Sequence, residues 1–239
     1  MKTDVLGVLY DNVTMEEALE KGREILTGHK TCYCVTPNAE MAYEALHDES
    51  FRDLLNGADL VLPDGAGVVL GAKLLKTPLK QKVAGIEFAQ NLLPIMAELG
   101  TRLYLLGSKP GVAELAAEKM LQQNPDLIIC GMSDGYFTDE KEVVVKINEA
   151  QADALFVCLG APKQEHFMQK HQKALGVKLM CGLGGTLDGI AGTVKRAPQW
   201  MIRLQLEWLY RLIKEPRRFK RMLRLPKFIF AALKKRMKG

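Results

Sequence analysis

The amino-acid sequence predicts an α/β protein built on a mostly parallel, doubly wound sheet. Three observations predict it. Short apolar, β-branched runs alternate with segments of helical spacing along most of the 239 residues. Turn-forming and polar residues collect directly after those runs, where an open parallel sheet places its ligand-binding loops. From about Pro198 the alternation gives way to helical spacing alone, so an α/β body, residues 1–195, is followed by a helical appendage, residues 196–239.

In chain order the strand candidates are Val5 to Leu9, Cys32 to Thr36, Leu60 to Leu62, Arg102 to Leu106, Leu127 to Cys130, Ala154 to Leu159 and Val177 to Cys181. Thr14, with Glu17 three residues on, is a capping-box signature that opens a helix. Further helical patterns cover Ala39 to His47, Ala84 to Leu99, Gly111 to Gln123, Glu140 to Ala150 and Pro162 to Ala174. Such alternation calls for a parallel sheet covered on both faces. Its ligand edge then carries five loops: Thr36 to Asn38, Pro63 to Gly65, Gly107 to Gly111, Gly160 to Glu165 and Gly182 to Gly189. In the appendage, Leu204, Trp208, Leu209, Leu212 and Ile213 share helical spacing, and Glu215-Pro216 interrupts. Leu225, Phe228, Ile229, Ala232, Leu233 and Met237 form a second apolar stripe.

Charge separates the same two parts. Hydrophobic residues make up 48% and charged residues 26%, a globular balance. The segment from Arg211 to Gly239 holds twelve Lys and Arg against one acid, Glu215; at net +11 within a chain of net +5, it leaves the rest at −6. A basic end on an acidic body fits a polyanionic partner. The five cysteines have no zinc-site spacing and sit mostly in strand-like runs, so buried reduced thiols in a cytosolic protein are expected. The start lacks a signal-peptide core, and no run of about 18 apolar residues exists to span a membrane. A cytosolic, soluble or peripheral protein is the expectation.

Four loops hold residues able to do chemistry. Asp64, between Pro63 and Gly65 at a strand end, suits a general base that takes a proton from a hydroxyl; it equally suits an ordinary turn aspartate. Gly107-Ser108-Lys109-Pro110-Gly111 offers helix-start amides and a lysine to a phosphate, or simply makes a tight turn. Gln164 and Glu165 follow Pro162 at a helix start, where they can bind sugar hydroxyls or a uracil edge, or complement the helix dipole. The run from Gly182 to Gly189 promises left-handed turns or an amide nest around a diphosphate, with Gly184 to Thr186 as contacts. It is not a dinucleotide fingerprint, because the last glycine of G-x-G-x-x-G would fall on Leu187. There is no Asp-x-Asp pair to hold a divalent metal, so a leaving diphosphate would rely on amides and on Arg or Lys. His166 and His171 share one predicted helix and are expected on its solvent face.

The tail adds Arg211, Arg218 and Arg221 at spacings that share a helical face, suited to bidentate phosphate contacts. Its apolar stripe beside lysines makes an amphipathic element able to lie in a headgroup layer. Phe228, Ile229, Phe230 and Leu233 favour lipid over nucleic acid, so no nucleic-acid partner is expected. The alternative from another class is a nucleotide-binding module with a nucleic-acid-binding arm. An apolar tail can also pack on a second copy, which leaves a homo-oligomer open.

Taken together and in order, these motifs resemble the WecG/TagA/CpsF glycosyltransferase family. The resemblance covers Thr36-Pro37-Asn38-Ala39-Glu40, Pro63-Asp64-Gly65, Val83-Ala84-Gly85, Gly107 to Gly111, Gly135-Tyr136-Phe137 and Leu159 to Glu165. It continues through Gly182 to Gly192, Arg196-Ala197-Pro198, Glu207 to Arg211 and Glu215 to Arg218. It implies a Rossmann-like sheet and an inverting, metal-independent transfer without a cofactor. The implied donor is UDP-N-acetylmannosamine and the implied acceptor N-acetylglucosaminyl-diphospho-undecaprenol, handled at the cytoplasmic face of the membrane; another UDP-sugar, such as the uronate or glucose, is the alternative donor. By the same resemblance Asp64 is the base and Thr36 and Asn38 line its pocket. Gln164, Glu165, Gly184 and Gly185 bind the donor, and Arg196, Arg211, Arg218 and Arg221 neutralise diphosphates. Lys82 and Glu87 stand where the family usually has Arg and Asp, with charge kept in both cases.

Overall fold

A computed structural model describes residues 1–194, 198, 200, 201, 209, 210 and 223–238. The chain opens with strands β1 (Lys2–Val5) and β2 (Val8–Asp11), paired antiparallel. One strand was expected over Val5 to Leu9; the chain instead reverses there. Leu6 (φ 57°) and Gly7 (φ 95°) both take left-handed backbone, and the Gly7 amide donates to Asp4 Oδ1 at 2.6 Å. A leucine rarely accepts that conformation, and burial of its side chain compensates here.

Helix α1 (Met15–Thr27) begins at the predicted capping box, with Thr14 and Glu17 each bonded to the other's backbone amide. There follow β3 (Cys32–Val35), α2 (Ala39–Ala45), α3 (Glu49–Asn56), β4 (Leu60–Val61), α4 (Ala66–Leu74) and α5 (Gly85–Glu98). Then come β5 (Arg102–Gly107), α6 (Val112–Gln123), β6 (Ile128–Ser133), α7 (Glu140–Glu149), β7 (Ala154–Cys158), α8 (Lys163–His171), β8 (Leu179–Gly182) and α9 (Thr186–Ala191). The last described helix is α10 (Arg224–Lys238). Three helices, α3, α4 and α9, had no counterpart in the sequence expectation; α9 lies in the run read as a glycine loop. Glycines at 65, 67 and 71 mask the helical pattern of α4, whereas α3 is short and is capped by Asp48 accepting from the Phe51 amide.

Six strands form one sheet in the order β4-β3-β8-β7-β5-β6, and every neighbouring pair is parallel. The α/β, doubly wound expectation therefore holds. One core packs α2, α3, α4, α7, α8 and α10 with the N-terminal hairpin; the other packs α1, α5, α6 and α9. All five cysteines carry free thiols, and four of them are buried. His171 departs from expectation: it is buried, and its Nε2 lies 2.8 Å from Glu140 Oε2 on α7. Hydrogen bonds from Lys170 first and His171 second hold the Glu140 carboxyl below its ordinary range. His166 is exposed, as expected.

The apolar stripe of the tail divides. Phe228 and Ala232 are fully buried against α2 and α4, and Leu225 and Ile229 pack on the same core. The groove that accepts them is made by missing side chains: a Cβ at Gly71 would sit 2.5 Å from the Phe228 ring, and one at Gly67 would sit 2.6 Å from Leu225. Ion pairs from Arg224 to Glu44 and from Lys235 to Asp4 flank the joint. What remains outside is a different set, Leu223, Phe230, Leu233 and Met237, beside the exposed Lys227 and Lys234. Among the described residues no helix is long and apolar enough to cross a membrane.

This joint gives a stability test. Gly71→Ala gains about 1 kcal/mol of helix propensity, but its methyl meets a rigid ring, and overpacking costs about 1–3 kcal/mol. Urea unfolding is expected to show net destabilisation of about 1 kcal/mol. An equal or higher midpoint would mean that α10 does not rest on α4 in this way.

Candidate active site

Because the six strands are parallel, the predicted loops all leave the carboxyl edge of the sheet. Beside the centre of that edge lies the β3–β8 pair, with Val35 opposite Gly182. Thr36, just past β3, is buried, and its Oγ1 donates to the Gly182 carbonyl at 3.0 Å. It is hemmed in from the other side by Gly85, where a Cβ would lie 3.1–3.3 Å from the Thr36 side chain. Thr36 thus ties the two strands together beneath the site.

Asn38 caps α2: its Oδ1 accepts from the Glu40 amide at 3.0 Å and the Met41 amide at 3.1 Å. Alongside it runs the Asp64 turn. Gly65 holds φ 88°, and a Cβ there would stand 4.0 Å from that of Asn38. The Pro63 carbonyl accepts from the Val83 amide at 3.0 Å, which fixes the turn to the Val83-Ala84-Gly85 stretch. Asp64 itself is half-buried. Its charge reaches inward to Tyr10 on β2, whose phenol is wholly buried and has no hydrogen-bond partner among the described residues. Burial first, and Asp64 second, hold that phenol far above its ordinary range. Tyr10 was not predicted, since a tyrosine in an apolar run reads as core.

Gln164 and Glu165 open α8, after a cis Ala161–Pro162 bond, and both are buried. Neither is turned to the solvent end of the helix. Gln164 Oε1 accepts from the Gly184 amide at 2.8 Å, and its Nε2 donates to Glu165 Oε1 at 2.7 Å. Room for that amide comes from Gly182, where a Cβ would be 3.1 Å from Gln164 Nε2 and 2.7 Å from Met168. Burial, helped by the nearby charge of Glu44, pushes the Glu165 carboxyl up to about 7 despite the Gln164 bond.

The glycine loops face open space. A Cβ at Gly111, Gly160, Gly184 or Gly185 would meet nothing within 4 Å among the described residues, which leaves the backbone at each open to a ligand on their side. Gly107 is glycine for a different reason: a Cβ would lie 2.3 Å from the Cys158 carbonyl oxygen. Two further ties close the edge. Ser108 Oγ donates to Asp188 Oδ2 at 2.8 Å, and Lys163 Nζ reaches the Gly135 carbonyl at 3.2 Å while lying over the Phe137 ring. Asp64, Asn38, Thr36, Gln164, Glu165, Gly184 and Gly185 are therefore on one edge. Arg196, Arg211, Arg218 and Arg221 lie outside the described residues. Among the described residues, no three His, Cys, Asp or Glu side chains gather as metal ligands would.

The Thr36 tie can be tested. Thr36→Val keeps the shape but leaves the Gly182 carbonyl without its donor, for an expected loss of about 1–3 kcal/mol in urea unfolding. An unchanged midpoint would show that the bond does not hold β3 to β8.

The model of the Glycosyl transferase WecG/TagA/CpsF family matches residues 3–239. The chain is 40% identical over 199 residues to the N-acetylglucosaminyldiphosphoundecaprenol N-acetyl-beta-D-mannosaminyltransferase of Bacillus subtilis (strain 168), covering 83% of this chain and 78% of that protein. It is 39% identical over 209 residues to the protein of that name from Bacillus spizizenii (strain ATCC 23059 / NRRL B-14472 / W23), covering 87% and 81%. With that of Staphylococcus aureus (strain MRSA252) it shares 35% over 240 residues, covering 99% and 94%. A match over nearly the whole chain, on a carboxyl edge carrying the motifs in order, has one meaning: this protein belongs to the WecG/TagA/CpsF family of glycosyltransferases.

Proposed function

We propose that this glycosyltransferase moves N-acetylmannosamine from UDP-N-acetylmannosamine to N-acetylglucosaminyl-diphospho-undecaprenol. The observation that carries this reading is the identity of 35 to 40%, over most of both chains, to three enzymes of that name. The geometry supplies a way to do it. Asp64, half-buried beside Asn38, is the general base. It takes the proton of the acceptor hydroxyl as that oxygen bonds to the anomeric carbon; the bond from that carbon to UDP breaks, and UDP leaves with the electron pair. One displacement inverts the anomeric centre. The open turn at Gly184 and Gly185 is where the donor diphosphate is proposed to lie, with Gln164 and Glu165 behind it. Arg196, Arg211, Arg218 and Arg221 are proposed to balance the diphosphate charge, in place of a metal.

The acceptor lipid requires the enzyme to work at a membrane surface. The outer side of α10 offers Phe230 and Met237, 66% and 77% exposed, next to Lys227 and Lys234. Apolar side chains between lysines suit an anionic headgroup layer, each lysine adding about 1 kcal/mol near it. This supports peripheral attachment at the cytoplasmic face.

The decisive assay follows UDP release from UDP-N-acetylmannosamine with the lipid-diphosphate acceptor, in EDTA. Wild type is expected to turn over and Asp64→Asn to be slower by about 10²-fold or more. Turnover by the variant at the wild-type rate would remove Asp64 as base, and loss of wild-type turnover in EDTA would contradict a metal-free reaction.

A further inference from the structure

Glu165 presents an arrangement that a donor contact does not explain. It is wholly buried, so it cannot meet a ligand in the open space before Gly184 and Gly185. Its Oε1 is engaged by Gln164 Nε2, and its Oε2 is buried with no hydrogen-bond partner among the described residues. An ionised carboxylate left so would be costly, whereas a neutral acid keeps Oε1 as an acceptor and needs no counter-charge. The Gln164 side chain cannot reorient freely between its two partners: Oε1 receives the Gly184 amide at 2.8 Å while Nε2 gives to Glu165 at 2.7 Å.

We propose that Glu165 is a positioning residue of the transfer reaction, acting through Gln164 to hold the Gly184–Gly185 turn in the shape that receives the donor diphosphate, and that it does so as the uncharged acid. The inference rests on the proposed placement of the donor at that turn. It turns a residue expected to touch the donor into one that acts behind it.

The electrostatic surroundings agree. The opposing charge comes from Glu44 on α2, itself paired at 2.7 Å with Arg224 of the C-terminal helix. On α3, which packs against α8, Arg52 is turned to Glu49 and Asp53, and the uncharged Phe51 meets the exposed His166. The strands β3, β7 and β8 beneath α8 carry no charged residue. With its carboxyl pushed up to about 7, Glu165 gains a charge within the neutral range. A new negative charge behind the turn opposes a diphosphate in front of it. Donor affinity therefore falls as pH rises through that value. If only the uncharged form binds, the loss between about pH 6 and about pH 8 is on the order of tenfold.

The test is calorimetric titration of UDP-N-acetylmannosamine, a diphosphate diester of constant charge over this range, into the full chain at about pH 6 and about pH 8. Wild type is expected to bind on the order of tenfold more weakly at the higher pH. Glu165→Gln, which imitates the neutral acid, is expected to bind equally at both, near the wild-type affinity at the lower pH. Glu165→Ala removes the anchor of Gln164 and is expected to weaken binding about 3- to 10-fold at the lower pH. Wild-type binding that ignores pH, a Gln variant that retains the wild-type pH dependence, or an Ala variant that binds as wild type would overturn the proposal while leaving the enzyme reading intact. If wild type bound no UDP-sugar at either pH, the donor placement would fail and take the proposal with it.

Discussion

One hydrogen bond, from Thr36 to the Gly182 carbonyl, joins residues 146 positions apart across the β3–β8 pair at the carboxyl edge. The site depends on the close approach that it records. That approach is possible because the neighbouring positions are bare: neither Gly85 nor Gly182 has room for a methyl group without moving Thr36, Met168 or Gln164. With β3 and β8 drawn together, Leu183 can donate to the Val157 carbonyl at 2.9 Å, and Gly184 turns its amide onto Gln164. The glycine-rich loop is thus shaped from beneath by buried side chains, while its outer surface stays open. Rigid support under an accessible backbone suits the proposed recognition of a diphosphate.

The C-terminal helix belongs to the same construction. Its attachment rests on Phe228 and Ala232 in a glycine-lined groove, with a buried phenylalanine contributing about 1.5–3 kcal/mol. The ion pairs at either end are partly exposed and contribute about 0–1 kcal/mol each. Apolar burial therefore seats the helix, and Lys227, Lys234 and Arg236 stay exposed on the outside. Through Glu44 the helix also meets the electrostatic surroundings of Glu165, so the C-terminal helix and the side of the site proposed to take the donor share one charged residue.

Much of this was legible in the sequence. The strands β3, β5 and β7 are short, apolar and flanked by turn residues, and they lie where the pattern put them. The site loops were legible for the same reason, since Pro63-Asp64-Gly65 and Gly182 to Gly185 announce themselves by local turn chemistry. What escaped depends on partners distant in sequence. Leu6 enters a hairpin turn in a conformation that leucine seldom adopts, so Val5 to Leu9 reads as one strand. His171 is polar by type, yet Glu140, thirty-one residues before it, gives it a buried partner. The tail has an amphipathic period, but period alone does not say which surface takes Phe228; Gly67 and Gly71 decide that from α4. Gln164 and Glu165 stand out as polar residues at a helix start, but their placement behind the loop follows from burial against β8, which no local pattern encodes.

The central claim is that the donor binds at the carboxyl edge, over the turn held by Gln164. Backbone amide shifts on titration with UDP-N-acetylmannosamine test it most directly, because every non-proline position reports at once. The account predicts the largest changes at Gly184, Gly185 and Thr186, with smaller ones at Asn38 and Asp64. Changes centred instead on the hollow at the opposite edge, lined by Asn148, Asp153, Lys173 and Gly176, would contradict it.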